Sequence, residues 1–149
     1  MKVLILAGGF GTRLSEYTNE IPKPMVTIGN IPIIVHIMNL YAMYGFKEFL
    51  IATGYKSEVI NNYFTQNAES IISKNEDVIK LKYNSNKNSQ NQLTITILYT
   101  GEKTMTGGRV KHAEQYIDEN EFMMTYGDGI SDININLLVE HHKKNKKLA

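Results

Sequence analysis

The stretch Leu6-Ala7-Gly8-Gly9-Phe10-Gly11-Thr12-Arg13 follows directly on a short apolar run. Glycines let main-chain N–H groups approach a phosphate without a Cβ in the way, and successive N–H groups form an anion-binding nest. Arg13 adds a planar cation matched to phosphate oxygens. A tight strand-to-loop turn with a surface arginine would need the same residue types. Two named phosphate loops can be checked. GxxxxGK[ST] is absent. In Gly9-Phe10-Gly11-Thr12-Arg13-Leu14 the first two glycines of GxGxxG are present, but Leu14 fills the third place and would obstruct the close helix–strand contact that glycine permits. That counts against a nicotinamide-dependent oxidoreductase.

Further along, Ile21-Pro22-Lys23-Pro24-Met25 braces a lysine between prolines. Proline fixes its own φ and biases the residue before it towards extended backbone, so Lys23 is expected on a stiff, extended segment. A proline-rich connector with a solvated lysine is the alternative. Thr104-Met105-Thr106-Gly107-Gly108-Arg109 leads into an expected helix. Hydroxyls, glycine amides and a helix N-terminus suit an anion or a base edge, and Thr106 could equally act as the N-cap. In Tyr126-Gly127-Asp128-Gly129, an aspartate between glycines can reach Mg²⁺ uncrowded, since Mg²⁺ takes one or two carboxylates together with phosphates. A turn aspartate bonding its own backbone is the competing reading. Asp132 is expected to cap the last helix. The histidines 36, 112, 141 and 142 have no metal-ligand spacing with acids and form no Ser-His-Asp arrangement.

These stretches need elements to hold them. Lys2-Val3-Leu4-Ile5-Leu6 reads as a buried parallel strand. Pro32 opens a helix with Ile33, Ile37, Leu40 and Tyr44 on one face, and Gly45 stops it. Glu48-Phe49-Leu50-Ile51-Ala52 is a second strand. Val59, Ile60, Tyr63 and Phe64 mark a second helix. This alternation predicts a doubly wound α/β fold with a mainly parallel, mixed sheet. An antiparallel hairpin with a mobile Asn/Ser/Gln-rich tip is expected as an insertion over 78–99. Val110, Ala113 and Ile117 then predict a helix, 122–126 a strand, and Ile135, Leu138, Val139 and His142 a final helix.

The 149 residues amount to one domain, with 42% hydrophobic and 21% charged residues, the balance of a globular chain. Cysteine is absent, which removes disulfide scaffolds, thiolate metal sites and thiol nucleophiles. No run is long enough to span a bilayer, and no secretory leader is visible, so a cytoplasmic location is the expectation. The net charge is +1; setting aside the four lysines of 143–147 leaves −3. A general nucleic-acid surface is not indicated, and the basic end reads as a solvated helix terminus.

Taken together, Leu6-Ala7-Gly8-Gly9-x-Gly11-Thr12-Arg13-Leu14 followed by Pro22-Lys23-Pro24-Met25 resembles the opening of the sugar-1-phosphate nucleotidylyltransferases. Within them, Met105-Thr106-Gly107-Gly108-Arg109 and Thr125-Tyr126-Gly127-Asp128-Gly129 resemble the glucose-1-phosphate cytidylyltransferases. The resemblance spans the whole chain but only the N-terminal portion of a family member. It implies the Rossmann-like fold of nucleotide-diphospho-sugar transferases, and transfer of a cytidylyl group from CTP to α-D-glucose 1-phosphate. It also implies Mg²⁺ as cofactor and a homo-oligomer as the full-length form. Carried over by position, Leu6, Ala7, Gly8, Gly9, Phe10, Gly11, Thr12 and Arg13 would hold the nucleotide. Arg13 and Lys23 would neutralise its phosphates. Thr104, Thr106, Gly107, Gly108, Arg109 and Gly127 would complete the pocket, and Asp128 would ligate Mg²⁺. Other readings remain open: a truncated nucleotide-binding module without catalysis, or a transferase for another sugar phosphate or for choline phosphate.

Overall fold

The computed structural model describes residues 1–10, 21–84, 92–118, 120–145 and 147. The expected loop residues Gly11, Thr12 and Arg13, together with Leu14 and the hairpin tip at 85–91, lie outside them. The described strands are β1 (Val3–Ala7), β2 (Thr27–Ile28), β3 (Ile31–Pro32), β4 (Glu48–Thr53), β5 (Ala68–Lys74), β6 (Val78–Tyr83), β7 (Leu93–Tyr99) and β8 (Met123–Tyr126). The helices are α1 (Ile33–Met43), α2 (Ser57–Gln66), α3 (Thr106–Ala113) and α4 (Ile135–Asn145), with 3-10 turns at Lys23–Met25 and Glu114–Tyr116.

A six-stranded sheet runs in the order β5-β6-β7-β4-β1-β8. Its centre is parallel: β1 pairs with β4 and β8, and β4 pairs with β7. Every residue of β1 is buried, as expected for a strand flanked on both edges and covered on both faces. Alternation sorts the rest. Val3 and Ile5, in register with Phe49 and Ile51, face a large core built with α1, α2 and Ile135 of α4. Leu4 and Leu6, beside Leu50 and Ala52, face a smaller cluster closed by Ala113 and Val110 of α3. Helices therefore cover both faces, in a mixed, mainly parallel, doubly wound sheet.

The antiparallel pair β6–β7 is the hairpin expected within the α/β pattern over 78–99. Strand β7 also runs parallel to β4, so the hairpin is continuous with the main sheet. Several local expectations need correction. Strand β5 was not expected. Ala68-Glu69-Ser70-Ile71-Ile72-Ser73-Lys74 is almost wholly exposed and follows β6 through two register shifts, which destroy any simple alternation. In α1 the buried residues are Ile34, Val35, Ile37, Met38, Tyr41 and Ala42; of the expected face Ile37 is among them, Ile33 and Tyr44 pack partly buried against the same core, and the helix starts at Ile33 because Pro32 belongs to β3. Gly45 does end that helix, at φ +90°. Asn134, not Asp132, caps α4: its Oδ1 accepts from the Leu137 N–H at 3.1 Å. No helix among the described residues is long and apolar enough to cross a membrane.

Candidate active site

Parallel strands deliver their C-terminal ends to one edge, where open α/β sheets bind ligands. Here β1, β4, β7 and β8 end there, and a glycine follows each end within two residues: Gly8, Gly54, Gly101 and Gly127. A cavity of about 610 Å³ opens at this edge. Its walls include Leu6, Ala7, Gly8, Gly9, Phe10, Lys23, Thr104, Thr106, Arg109 and Asp128. Sequence regions more than a hundred residues apart thus meet in one space.

The lysine and the aspartate arrive together through close packing. Lys23 opens a 3-10 turn, with the Met25 N–H donating to the Pro22 carbonyl at 2.8 Å. The extended residue is Pro22 (φ −70°, ψ 147°), so the expectation of an extended Lys23 is corrected. Pro24 is buried beneath the turn and lies against Gly127. A Cβ on Gly127 would meet Pro24 Cγ at 3.0 Å and the Leu6 carbonyl oxygen at 3.2 Å. The Gly127 N–H donates to that same Leu6 carbonyl at 3.0 Å, extending the β1–β8 ladder by a residue. Lys23 Nζ then stands 3.5 Å from Asp128 Oδ2, both side chains partly open to the cavity.

Gly107, Gly108 and Gly127 do not line the cavity. Gly108 sits behind it, where an added Cβ would come within 2.7 Å of Thr104 Cγ2. Thr106 is the first residue of α3 and makes no capping bond; the N-cap position belongs to Met105. The capping reading of Thr106 is therefore corrected, and its exposed side chain lines the cavity instead.

Arg109 is buried, with 4% of its surface exposed. Its Nη1 donates to the Thr53 carbonyl at 2.8 Å, to Thr100 Oγ1 at 2.6 Å and to the Gly101 carbonyl at 2.9 Å. Its Nη2 donates to the Gly8 carbonyl at 2.7 Å and to the Glu102 carbonyl at 3.3 Å. Burial pushes its pKa below the ordinary arginine value, and the Tyr99 phenol partly opposes that. Sequence reasoning marked Arg109 but missed two of its partners: Thr53, which accepts through a main-chain carbonyl and so carries no side-chain signal, and Thr100, whose only signal was a hydroxyl just past the end of β7. It also missed Lys103, a second exposed lysine on the cavity wall, although Lys103 directly precedes the Thr104 stretch.

The donor set can be tested against a divalent cation. No cluster of three or more His, Cys, Asp or Glu side chains is placed to hold a metal among the described residues. Asp128 offers a single carboxylate to the cavity, which fits Mg²⁺ brought with phosphates and water rather than held in a protein cage.

Residues 2–149 match the family model described as nucleotidyl transferase. The chain belongs to the nucleotidyl transferase family. This nucleotidyl transferase chain is 41% identical, over its whole length, to glucose-1-phosphate cytidylyltransferase of Salmonella typhimurium, covering 58% of that protein. It is 42% identical to the probable glucose-1-phosphate cytidylyltransferase of Bacillus subtilis, over 96% of this chain and 56% of that one. The chain thus spans little more than half the length of these curated relatives. Among solved structures, HddC of Yersinia pseudotuberculosis, complexed with GMP-PN, superposes with a TM-score of 0.68 at 26% identity, over 95% of this chain and 53% of HddC.

Proposed function

We propose that this chain carries the nucleotide-binding part of an enzyme that transfers a cytidylyl group from CTP to α-D-glucose 1-phosphate, releasing pyrophosphate. The observation that carries the reading is the convergence of Gly8, Gly9, Lys23, Thr104 and Asp128 on one cavity. Its supports are the 41% identity to a cytidylyltransferase and the strand-edge position of that cavity.

The chemistry asks little of a general base. A sugar phosphate is already an anion at neutral pH, so its oxygen can attack without prior proton removal. The site must instead align two mutually repelling anions and neutralise charge as pyrophosphate leaves. Main-chain N–H groups at Gly8 and Gly9 face the triphosphate. The Lys23 ammonium supplies compact positive charge beside them, and Arg13, outside the described residues, would add a second cation. Asp128 would hold Mg²⁺, whose contribution when bound is to polarise phosphoryl oxygens and neutralise the leaving group. Thr104, just before α3, and Thr106, its first residue, offer hydroxyls to the base. Lys23 Nζ and Asp128 Oδ2 stand 3.5 Å apart. Phosphates would draw the lysine away and leave the carboxylate to the metal.

Titrating CTP, UTP, dTTP and ATP with Mg²⁺ while following thermal unfolding tests the reading. Selective stabilisation by CTP is expected, growing with ligand concentration by binding linkage. Equal stabilisation by all four would leave a nucleotide site and remove the cytidine assignment; none at all would remove the site. Pyrophosphate exchange into CTP then separates an active enzyme from a module that binds without turnover.

A further inference from the structure

The cavity accounts for most of the side chains along its wall, but not for the way Arg109 is spent. A cation beside a proposed triphosphate site would be expected to aim at the ligand. Among the described residues, its Nη1 and Nη2 are already occupied by four carbonyls and one hydroxyl of the chain. Those acceptors belong to the ends of three different strands: Gly8 after β1, Thr53 of β4, and Thr100, Gly101 and Glu102 after β7. Room for the guanidinium is made by two glycines. A Cβ on Gly8 would overlap Arg109, and one on Gly54 would lie 2.5 Å from Nη1 and 2.7 Å from Nη2.

We propose that Arg109 is a positioning residue: it ties the ends of β1, β4 and β7 together so that the Gly8–Gly9 peptide presents its N–H to the nucleotide phosphates. The geometry follows from the trans peptide, in which a carbonyl and the next N–H point in opposite directions. The Gly8 carbonyl is held inward by Arg109 Nη2 at 2.7 Å and by the Tyr55 N–H at 3.2 Å. The Gly9 N–H is therefore turned away from both, on a residue whose missing Cβ would meet only open space. Only a forked, planar donor can serve acceptors on separate loops at once; an ammonium concentrates its donors at one point. The inference rests on the nucleotide reading of the cavity, but the clamp can be tested apart from it.

The test compares the whole protein with R109K and G54A. Two readouts are used: calorimetric titration with Mg·CTP, and backbone amide hydrogen exchange without nucleotide. The informative amides are Tyr55, bonded to the Gly8 carbonyl, and Thr100, bonded to the Thr53 carbonyl, because Arg109 holds the same acceptors. R109K is expected to melt cooperatively and to bind CTP about tenfold or more weakly, since buried acceptors lose a donor. Its Tyr55 and Thr100 amides should exchange faster, with those of α1 unchanged. G54A keeps the arginine but crowds it, and should shift both readouts in the same direction; if R109K does not fold, G54A carries the test. Wild-type CTP affinity in the variant overturns the proposal. So does weakened affinity with unchanged exchange at both amides, which would make Arg109 a direct ligand. If the wild-type protein binds no triphosphate, the nucleotide reading falls, and exchange decides the clamp: faster at Tyr55 and Thr100 upholds it, unchanged overturns it.

Discussion

The two faces of the sheet are built on different principles. One carries α1, α2 and the start of α4 and buries Phe49, Phe64, Ile37, Met38, Ile60 and Ile95 almost completely. The other is covered by α3 and the turn after it, and its buried members among the described residues are six, of which only Ala113 comes from a helix. Apolar burial of about 25 cal/mol per Å² places most of the stabilisation on the first face. On the second face the apolar cluster is smaller, and Arg109 adds hydrogen bonds to the ends of β1, β4 and β7. Stability and site geometry are thus assigned to opposite sides of one set of strands, and the strands' ends are where they meet.

That division can be attacked from both sides. The largest effect is expected from Phe64→Ala, which empties a site with no exposure, at edge-to-face distance from Tyr63 and Tyr83. It should lower unfolding stability by about 3–5 kcal/mol, measured by denaturant titration, while the folded fraction keeps its CTP affinity. Loss of affinity in step with stability would erase the distinction between the faces. Lys23→Ala is expected to do the reverse. It should remove about 2–4 kcal/mol of transition-state stabilisation, read as kcat/KM for CDP-glucose formation by the complete enzyme, by analogy with loss of one oxyanion donor. Stability should barely move, because the pair with Asp128 is partly exposed and such pairs contribute about 0–1 kcal/mol. Near-normal turnover would take Lys23 out of the mechanism.

Val110→Ala sharpens the comparison on the thin face. A stability loss of about 1 kcal/mol is expected, with a fall in CTP affinity that Phe64→Ala does not share, since Val110 seats the helix that carries Arg109. The smallest effect is one of pH. Burial, then the hydrogen bond with Tyr63, hold the Tyr83 pKa above its ordinary 10.0; burial also raises Tyr41, although a bond with Thr125 opposes it. A folded-state pKa raised above the unfolded one gives stability that is fully present below the unfolded value and lost as pH rises past it. Denaturation midpoints should therefore fall as pH climbs above about 10, and Tyr83→Phe should flatten that fall. An unchanged slope in Tyr83→Phe would place the alkaline loss elsewhere.

Much of this was legible in the residues. The apolar runs at β1 and β4 and the glycines after them signalled buried parallel strands with a ligand edge, and Lys23 and Asp128 stood out by their proline and glycine neighbours. Three things were not legible, for separate reasons. Strand β5 is exposed and bulged, so it carries no hydrophobic period; its order comes from pairing with β6. Pro24 was read for its restraint on the residue before it, yet a turn closed by the Pro22 carbonyl overrode that bias at Lys23. Arg109 stood out only as part of the nucleotide pocket, because sequence gives the side chain but not the carbonyls around it. Thr53, Thr100 and Gly101 are adjacent to it only after β4 and β7 have paired.

A single guanidinium shared among loops has a consequence for anyone who would redesign this pocket. Changes at Gly8, Gly54, Thr100 and Arg109 will not combine independently, because each alters the same set of bonds. Grafting a foreign base-recognition loop onto this scaffold should succeed only when those four positions travel as a unit, and single substitutions drawn from a donor sequence should look worse than the full exchange.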